Sequence, residues 1–209
     1  PDHILKDIVS YARVVGAINK ESLKAADIVL GTVVKGGLVE VRDMKTAEAV
    51  KLFENVYRDV GIALANEFAQ FCEKIGIDFL EAQNAANTQP FCHLLLPGIV
   101  SGHIPKDPYL LAEEAENVNV NLRMLLLARK INDEMVAHTV RLTRDALKHC
   151  GKTLRRAKIT VFGVSYRANV KEPRGSSAGQ LLDSLKARGT TVRVYDPLYS
   201  FKELKDMGY

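Results

Sequence analysis

The sequence predicts an α/β chain in which a long-helix middle is flanked by two partial α/β pieces. Three observations carry that expectation. A proline-free apolar stripe of helical period runs through residues 46–75. A second long helical pattern covers residues 118–149. Strand-like runs lie in pairs on either side, each pair joined by a helical segment, which is the β-α-β signature of a parallel sheet.

The elements follow in order. Residues 13–18 (RVVGAI) read as a short strand, a helix opens near Asn19, and residues 37–43 (GLVEVRD) alternate as a second strand. In 46–75 the apolar positions are Val50, Phe53, Tyr57, Val60, Leu64, Phe68, Phe71 and Ile75, three or four apart. At ~1.5 Å of rise per residue this helix spans roughly 45 Å. Gly76 is suited to end it, and Asp78 opens a shorter helix to about residue 84. Residues 97–111 (PGIVSGHIPKDPYLL) form a stiff polar loop, in which Asp107 caps a helix with Pro108 at its first position. The second long pattern ends at Gly151. Residues 157–166 (AKITVFGVSY) read as a buried parallel strand, followed by a polar loop, a helix over 176–187 and a strand over 191–197. The predicted domains are 1–44, 45–151 and 152–209.

Composition narrows the function classes. Apolar residues are 47% and charged ones 26%, ordinary for a globular protein. The net charge of +4 is spread along the chain, which suits an anionic small molecule and offers no basic run for nucleic acid. No apolar stretch reaches the ~20 residues of a membrane span. Cys72, Cys92 and Cys150 are an odd number at irregular spacings, so neither a disulfide framework nor a metal site is expected. The chain reads as cytoplasmic and as a piece of something longer, because its first β-α-β unit is preceded by nothing and its last is incomplete.

Several residues suit chemistry. Lys51 and Asn55 share one helix face, which Glu48 and Asp59 extend by a turn each way. A solvated polar stripe is the favoured reading of that face, although an asparagine in mid-helix weighs against it. Lys106 and Asp107 stand between Pro105 and Pro108, so either a preorganised cation-carboxylate pair or a plain helix cap results. Arg167 follows a strand, and Arg174 precedes a helix start with Ser176 and Ser177, an anion site or a capped helix with surface arginines. Cys72 reads as core, and the neighbours Cys92-His93 and His149-Cys150 do not read as catalytic pairs. No G-x-G-x-x-G fingerprint occurs.

Taken in order, these pieces resemble the UDP-glucose/GDP-mannose dehydrogenase family, in its UDP-N-acetylmannosamine (UDP-N-acetylhexosamine) 6-dehydrogenase branch. RVVGAINKESLKAA resembles the end of the family's first domain, and MKTAEAVKLFENVYRDVGIALANEFAQFCEKIGID its long central helix. TQPFCHLLLPG and HIPKDPYLL resemble its substrate and catalytic loop, and VFGVSYRANVKEPRGSSA the opening of its third domain. The resemblance implies a central dimerisation domain between two Rossmann-like domains, and a homodimer through the long helix. It implies oxidation of the C6 alcohol of a UDP-sugar to a carboxylate, through an aldehyde, with two NAD per turnover, for surface polysaccharide precursors.

The resemblance also implies roles. Lys51 and Asn55 hold the sugar and stabilise an oxyanion or bound water, and Asp107 orients the hydrolytic water. Pro97, Gly98 and Gly102 line the sugar pocket together with Phe91, His93, Tyr166 and Arg167. Lys106 and Arg174 serve the cofactor. The loop is expected to set Lys106 and Asp107 across the sugar from Lys51 and Asn55.

Three departures stand out. The family loop PGxGVGGHCIPxDP carries a nucleophilic cysteine, whereas this loop is two residues shorter and places His103 there. Either the thiol is lost, or the loop carries a modified cysteine that the residue string omits. Phe91 replaces an arginine found in many relatives. Most of the NAD domain and the end of the third domain lie outside the sequence. A non-catalytic paralogue that binds nucleotide sugar and dimerises, or a UDP-glucose 6-dehydrogenase, remain the alternatives.

Overall fold

The computed structural model describes residues 4–102 and 104–209, in two units, Pro1–Asn55 and Val56–Tyr209. The first holds α1 (Ile4–Ser10), β1 (Arg13–Val15), α2 (Lys20–Gly31), β2 (Leu38–Glu40) and the start of α3 (Met44–Ile75). The strands β1 and β2 pair in parallel, with Arg13 opposite Leu38 and Val15 opposite Glu40. Asn19 caps α2 as expected, its Oδ1 accepting the Ser22 N–H at 2.8 Å. The second strand is shorter than predicted for a local reason. Asp43 Oδ1 accepts both the Thr46 N–H and its hydroxyl at 2.8 Å, so residues 42–43 turn into α3 instead of extending β2. Those two hydrogen bonds also hold the Asp43 carboxyl below its usual range.

Helix α3 ends at Gly76, whose φ of +76° is the left-handed geometry glycine adopts at low cost. Its facing is the reverse of a simple amphipathic helix. The buried positions are Asn55, Val56, Asp59, Ala63, Ala65, Asn66, Ala69 and Cys72. The predicted apolar stripe lies outside, with Phe53, Tyr57 and Phe71 exposed at 56%, 65% and 59%. The expected solvated polar stripe is therefore corrected at Asn55 and Asp59, which are buried.

In the second unit α4 (Phe79–Ala86) follows, capped by Asp78 through the Leu80 N–H at 2.8 Å. A 3-10 turn (Ile104–Lys106) leads into α5 (Asp107–Asn117). Lys106 occupies the cap position and Asp107 the first helical one, a residue earlier than predicted, because the preceding turn is already wound. The second long pattern divides into α6 (Arg123–Asp133) and α7 (Met135–His149), broken at Glu134. It starts late because Asn119, with φ of +59°, turns the chain out of helical geometry.

β3 (Lys158–Phe162), α8 (Ala178–Lys186), β4 (Thr191–Tyr195) and α9 (Phe201–Asp206) complete the unit. The two strands pair in parallel from Lys158–Thr191 to Phe162–Tyr195. One sheet face, with Ile159, Val161 and Val192, packs on a core of Val140, Leu154 and Leu185. The other carries the Phe162 and Tyr195 rings, edge to face at 5.9 Å and mostly exposed. β3 is thus not buried on both faces as predicted, since among the described residues helices cover one of them and the strand alternates accordingly.

Candidate functional site

The loop over 97–102 is held from two directions. At its start the Asn66 carboxamide on α3 grips Gly98, with the Gly98 N–H donating to Asn66 Oδ1 at 2.7 Å and Asn66 Nδ2 donating to the Gly98 carbonyl at 3.0 Å. At its end the Gly102 N–H donates to the Gly175 carbonyl at 2.8 Å, and Ser101 Oγ donates to the Tyr166 carbonyl at 3.5 Å. Both glycines are required here. A Cβ on Gly102 would lie 2.9 Å from the Tyr166 ring, one on Gly175 would lie 2.9 Å from the Gly102 oxygen, and both have φ above +70°. Beyond the loop Asp107 is buried and Lys106 is exposed. His103 lies outside the described residues.

The residues expected at the site fall into separate groups. Gly98, Gly102 and Tyr166 belong to the loop's contacts, and Pro97 precedes them half-buried. Arg167 turns elsewhere, lining a pocket of about 430 Å³ with Gly163, Ser165, Asp196 and Leu198, beyond the C-terminal ends of β3 and β4. Parallel sheets bind ligands in that place. Asp196 is fixed there by the Val164 and Leu198 N–H groups, each donating to it at 2.9 Å.

Arg174 grips its neighbour Glu172 through Nε at 2.9 Å and Nη2 at 2.6 Å. Those bonds and the Arg174 N–H hold the Glu172 carboxyl down at about 2. Phe91 and His93 line a pocket of about 390 Å³ with Tyr57, Leu64, Phe68 and Cys92. In the first unit the Lys51 ammonium donates to Asn55 Oδ1 and to Glu54 Oε2, both at 3.4 Å.

Cys92 Sγ donates to Asn87 Oδ1 at 3.6 Å rather than to a histidine, and Cys72 is core. Among the described residues no cluster could hold a metal ion, and no helix is long and apolar enough to cross a membrane.

Sequence reasoning passed over a buried polar cluster beside the loop. Arg129 Nη1 donates to Asp59 Oδ1 at 2.5 Å and its Nη2 to Asp133. Asn132 Nδ2 donates to Asp59 Oδ1 and to the Asp59 carbonyl at 2.9 Å, and Asn132 Oδ1 accepts from Asn66 at 2.9 Å. Burial pushes the Asp59 carboxyl up, against the pull of Arg129 and Asn132. The available signal was asparagine in mid-helix at 66, the same anomaly that marked Asn55.

Residues 45–134 match the family model described as the UDP-glucose/GDP-mannose dehydrogenase family, central domain. Residues 160–209 match the same family's UDP binding domain. A UDP-N-acetyl-D-mannosamine dehydrogenase of Methanococcus maripaludis is 38% identical over 97% of this chain and 46% of its own length. The solved structure of a UDP-D-ManNAc dehydrogenase from Pyrococcus horikoshii is 36% identical with a TM-score of 0.85, over 94% of this chain and 47% of that one. An NDP-N-acetyl-D-galactosaminuronic acid dehydrogenase from Methanosarcina mazei is 30% identical with a TM-score of 0.82, over 93% and 44%. The chain spans about half the length of the relatives it matches. With its helical middle matched to the central domain and its second parallel sheet to the UDP-binding domain, the chain belongs to the UDP-glucose/GDP-mannose dehydrogenase family.

Proposed function

We propose that this chain is the central and nucleotide-binding part of an NAD-dependent dehydrogenase that oxidises C6 of a UDP-N-acetylhexosamine, with UDP-N-acetylmannosamine or UDP-N-acetylglucosamine as substrate. The observation that supports this most is the contact between the loop 97–102 and Tyr166 and Gly175, next to a strand-end pocket that Arg167 lines. Arg167 offers a planar guanidinium to the UDP phosphates. The glycine-rich loop backbone admits the sugar closely. The Lys51 ammonium and the Asn55 carboxamide supply a cation and a dipole to a developing oxyanion, and Asp107 orients water for the acid product.

Lys106 and Arg174 fit NAD in charge, since both are exposed cations, and Arg174 reaches its phosphates by exchanging them for Glu172. Bound there, NAD would supply the hydride acceptor for oxidation at C6. The exposed apolar face of α3 suits a homodimer, in which a second copy covers Tyr57, Leu64 and Phe68.

A second reading, a nucleotide-sugar-binding and dimerising module without turnover, is favoured by the lack of cysteine in residues 97–111. Calorimetry with UDP-N-acetylmannosamine, UDP-N-acetylglucosamine and UDP-glucose, together with NADH formation by the full-length protein, decides between them. Two NADH per sugar support oxidation to the acid. Binding without NADH selects the module, and binding of no UDP-sugar refutes both.

A further inference from the structure

We propose that Asn66 is the positioning residue of the sugar loop, and that Asn132 and Asp59 stand behind it to fix its carboxamide. The inference rests on the reading of residues 97–102 as sugar-binding backbone. Asn66 is fully buried and uses its whole carboxamide. Oδ1 takes the Gly98 N–H, and Nδ2 donates to the Gly98 carbonyl and to Asn132 Oδ1. Two antiparallel hydrogen bonds to one residue's N–H and C=O fix the place and the orientation of the backbone at Gly98, as a strand partner does.

The bond to Asn132 decides which end of the carboxamide is the donor. Asn132 spends its own Nδ2 on Asp59, so its Oδ1 is the atom left to face Asn66. Asp59 is held by Arg129 in turn. Every orientation in the series is thereby set, from Arg129 to the Gly98 peptide, and reversing the Asn66 amide would set oxygen against oxygen at both Gly98 and Asn132.

The loop has a second hold at Gly102 and Gly175, which ties it to the nucleotide-binding region. Asn66 supplies the hold on the helical side. Substituting it frees one end of the loop and leaves the other tied.

The test pairs hydrogen exchange with binding, using full-length protein and UDP-N-acetylmannosamine as the probe. In Asn66→Ala, exchange across residues 95–102 is expected to rise about ten-fold or more, while peptides from α6 and α7 stay within about two-fold. The affinity for the probe falls by a similar factor. Asn132→Ala keeps both bonds to Gly98 and removes the orienting group together with the two Nδ2 bonds to Asp59, so an intermediate rise in the loop is expected, and it decides the matter should Asn66→Ala fail to fold. Loop exchange that matches wild type overturns the proposal, and so does acceleration spread evenly over the helices. A loosened loop with unchanged affinity overturns the positioning role. If wild type binds no UDP-sugar, the functional reading fails on its own, and the exchange data still decide whether Asn66 holds the loop.

Discussion

Replacing Arg129 by methionine removes the cation from the buried pair while keeping most of the side chain's volume. Asp59, fully buried, keeps the neutral Asn132 carboxamide as its one carboxylate hydrogen-bond donor among the described residues. Breaking a buried ion pair in this way costs about 3–5 kcal/mol. Asp59 has an escape, because it can take a proton. From an unfolded value of about 3.9, protonation at pH 7 costs roughly 4 kcal/mol, and at pH 5 only about 1.5 kcal/mol. The penalty in Arg129→Met is therefore capped near 4 kcal/mol at pH 7 and shrinks by about 2–3 kcal/mol at pH 5. The sign follows from linkage. Asp59 in the folded variant has a raised pKa, so its contribution is fully present below the unfolded value and is lost as pH rises through the folded one. Asp59→Leu behaves differently, because Arg129 cannot release its proton and retains Asp133 as a partner, so protonation at pH 5 gives the stranded cation no relief. Urea unfolding followed by circular dichroism at both pH values, on both variants and their double mutant, measures this. An Arg129→Met penalty below about 1 kcal/mol at pH 7, or one that does not shrink at pH 5, refutes the buried ionised pair.

Glu172 titrates at about 2 while Arg174 holds it, and carbon-detected NMR should return it to the ordinary carboxylate range in Arg174→Gln. Because that pKa is depressed, the ordering it gives the turn 172–174 is present above the unfolded carboxylate range and disappears as pH falls towards 2. Phe68→Lys, on the exposed face of α3, should turn a dimer into a monomer in analytical ultracentrifugation, with the helical circular dichroism unchanged. Asn55→Ala should lower kcat for sugar oxidation by about 10²–10³ fold with a smaller change in KM, if its carboxamide serves the oxyanion. Gly175→Ala forces a Cβ to within 2.9 Å of the Gly102 oxygen and should weaken UDP-sugar binding and lower Tm, whereas Gly151→Ala, with open space around it, should leave binding unchanged.

Much of the fold was legible because its signals are local. Asn19 and Asp78 cap the helices they were expected to cap, Gly76 ends the long one, and both strand pairs appear in their predicted order. The helix α9 was legible too and was passed over, since Ser200 and Glu203 spell a capping box that forms in full. Other features were beyond local reading. Asp59 and Arg129 are 70 residues apart, and nothing in either neighbourhood says that they meet. Periodicity located the apolar stripe of α3 but not which way it faces, since a stripe directed at a core and one directed at another surface have the same spacing. At the site, the i,i+4 pair Lys51–Asn55 could be read from spacing, whereas the close packing of Gly102, Tyr166 and Gly175 joins segments that only the fold brings together.

The facing of α3 ties the proposed dimer surface to the proposed loop clamp. Apolar burial alone would turn Tyr57, Leu64, Phe68 and Phe71 inward, because each offers more surface to remove from water than Ala63 or Ala69. What holds the opposite rotation is directional. Asp59 takes Arg129, Asn66 takes Asn132 and Gly98, and Glu73 takes His138 at 3.0 Å, three stations along one face of the helix. A rotation by one residue turns the helix about 100° and breaks all three at once, leaving buried charges and amides without partners. The polar inner face thus specifies a rotation that the apolar outer face opposes, and the same rotation brings Asn66 to the loop and presents Phe68 to solvent. Removing Asn66, Asp59 or Arg129 therefore weakens the constraint on the outer face as well as the loop, whereas Phe68→Lys alters the outer face alone. If the dimer and the clamp are set by one helix rotation, Asn66→Ala should lower dimer affinity without touching the interface, while Phe68→Lys should leave loop exchange unchanged in the monomer.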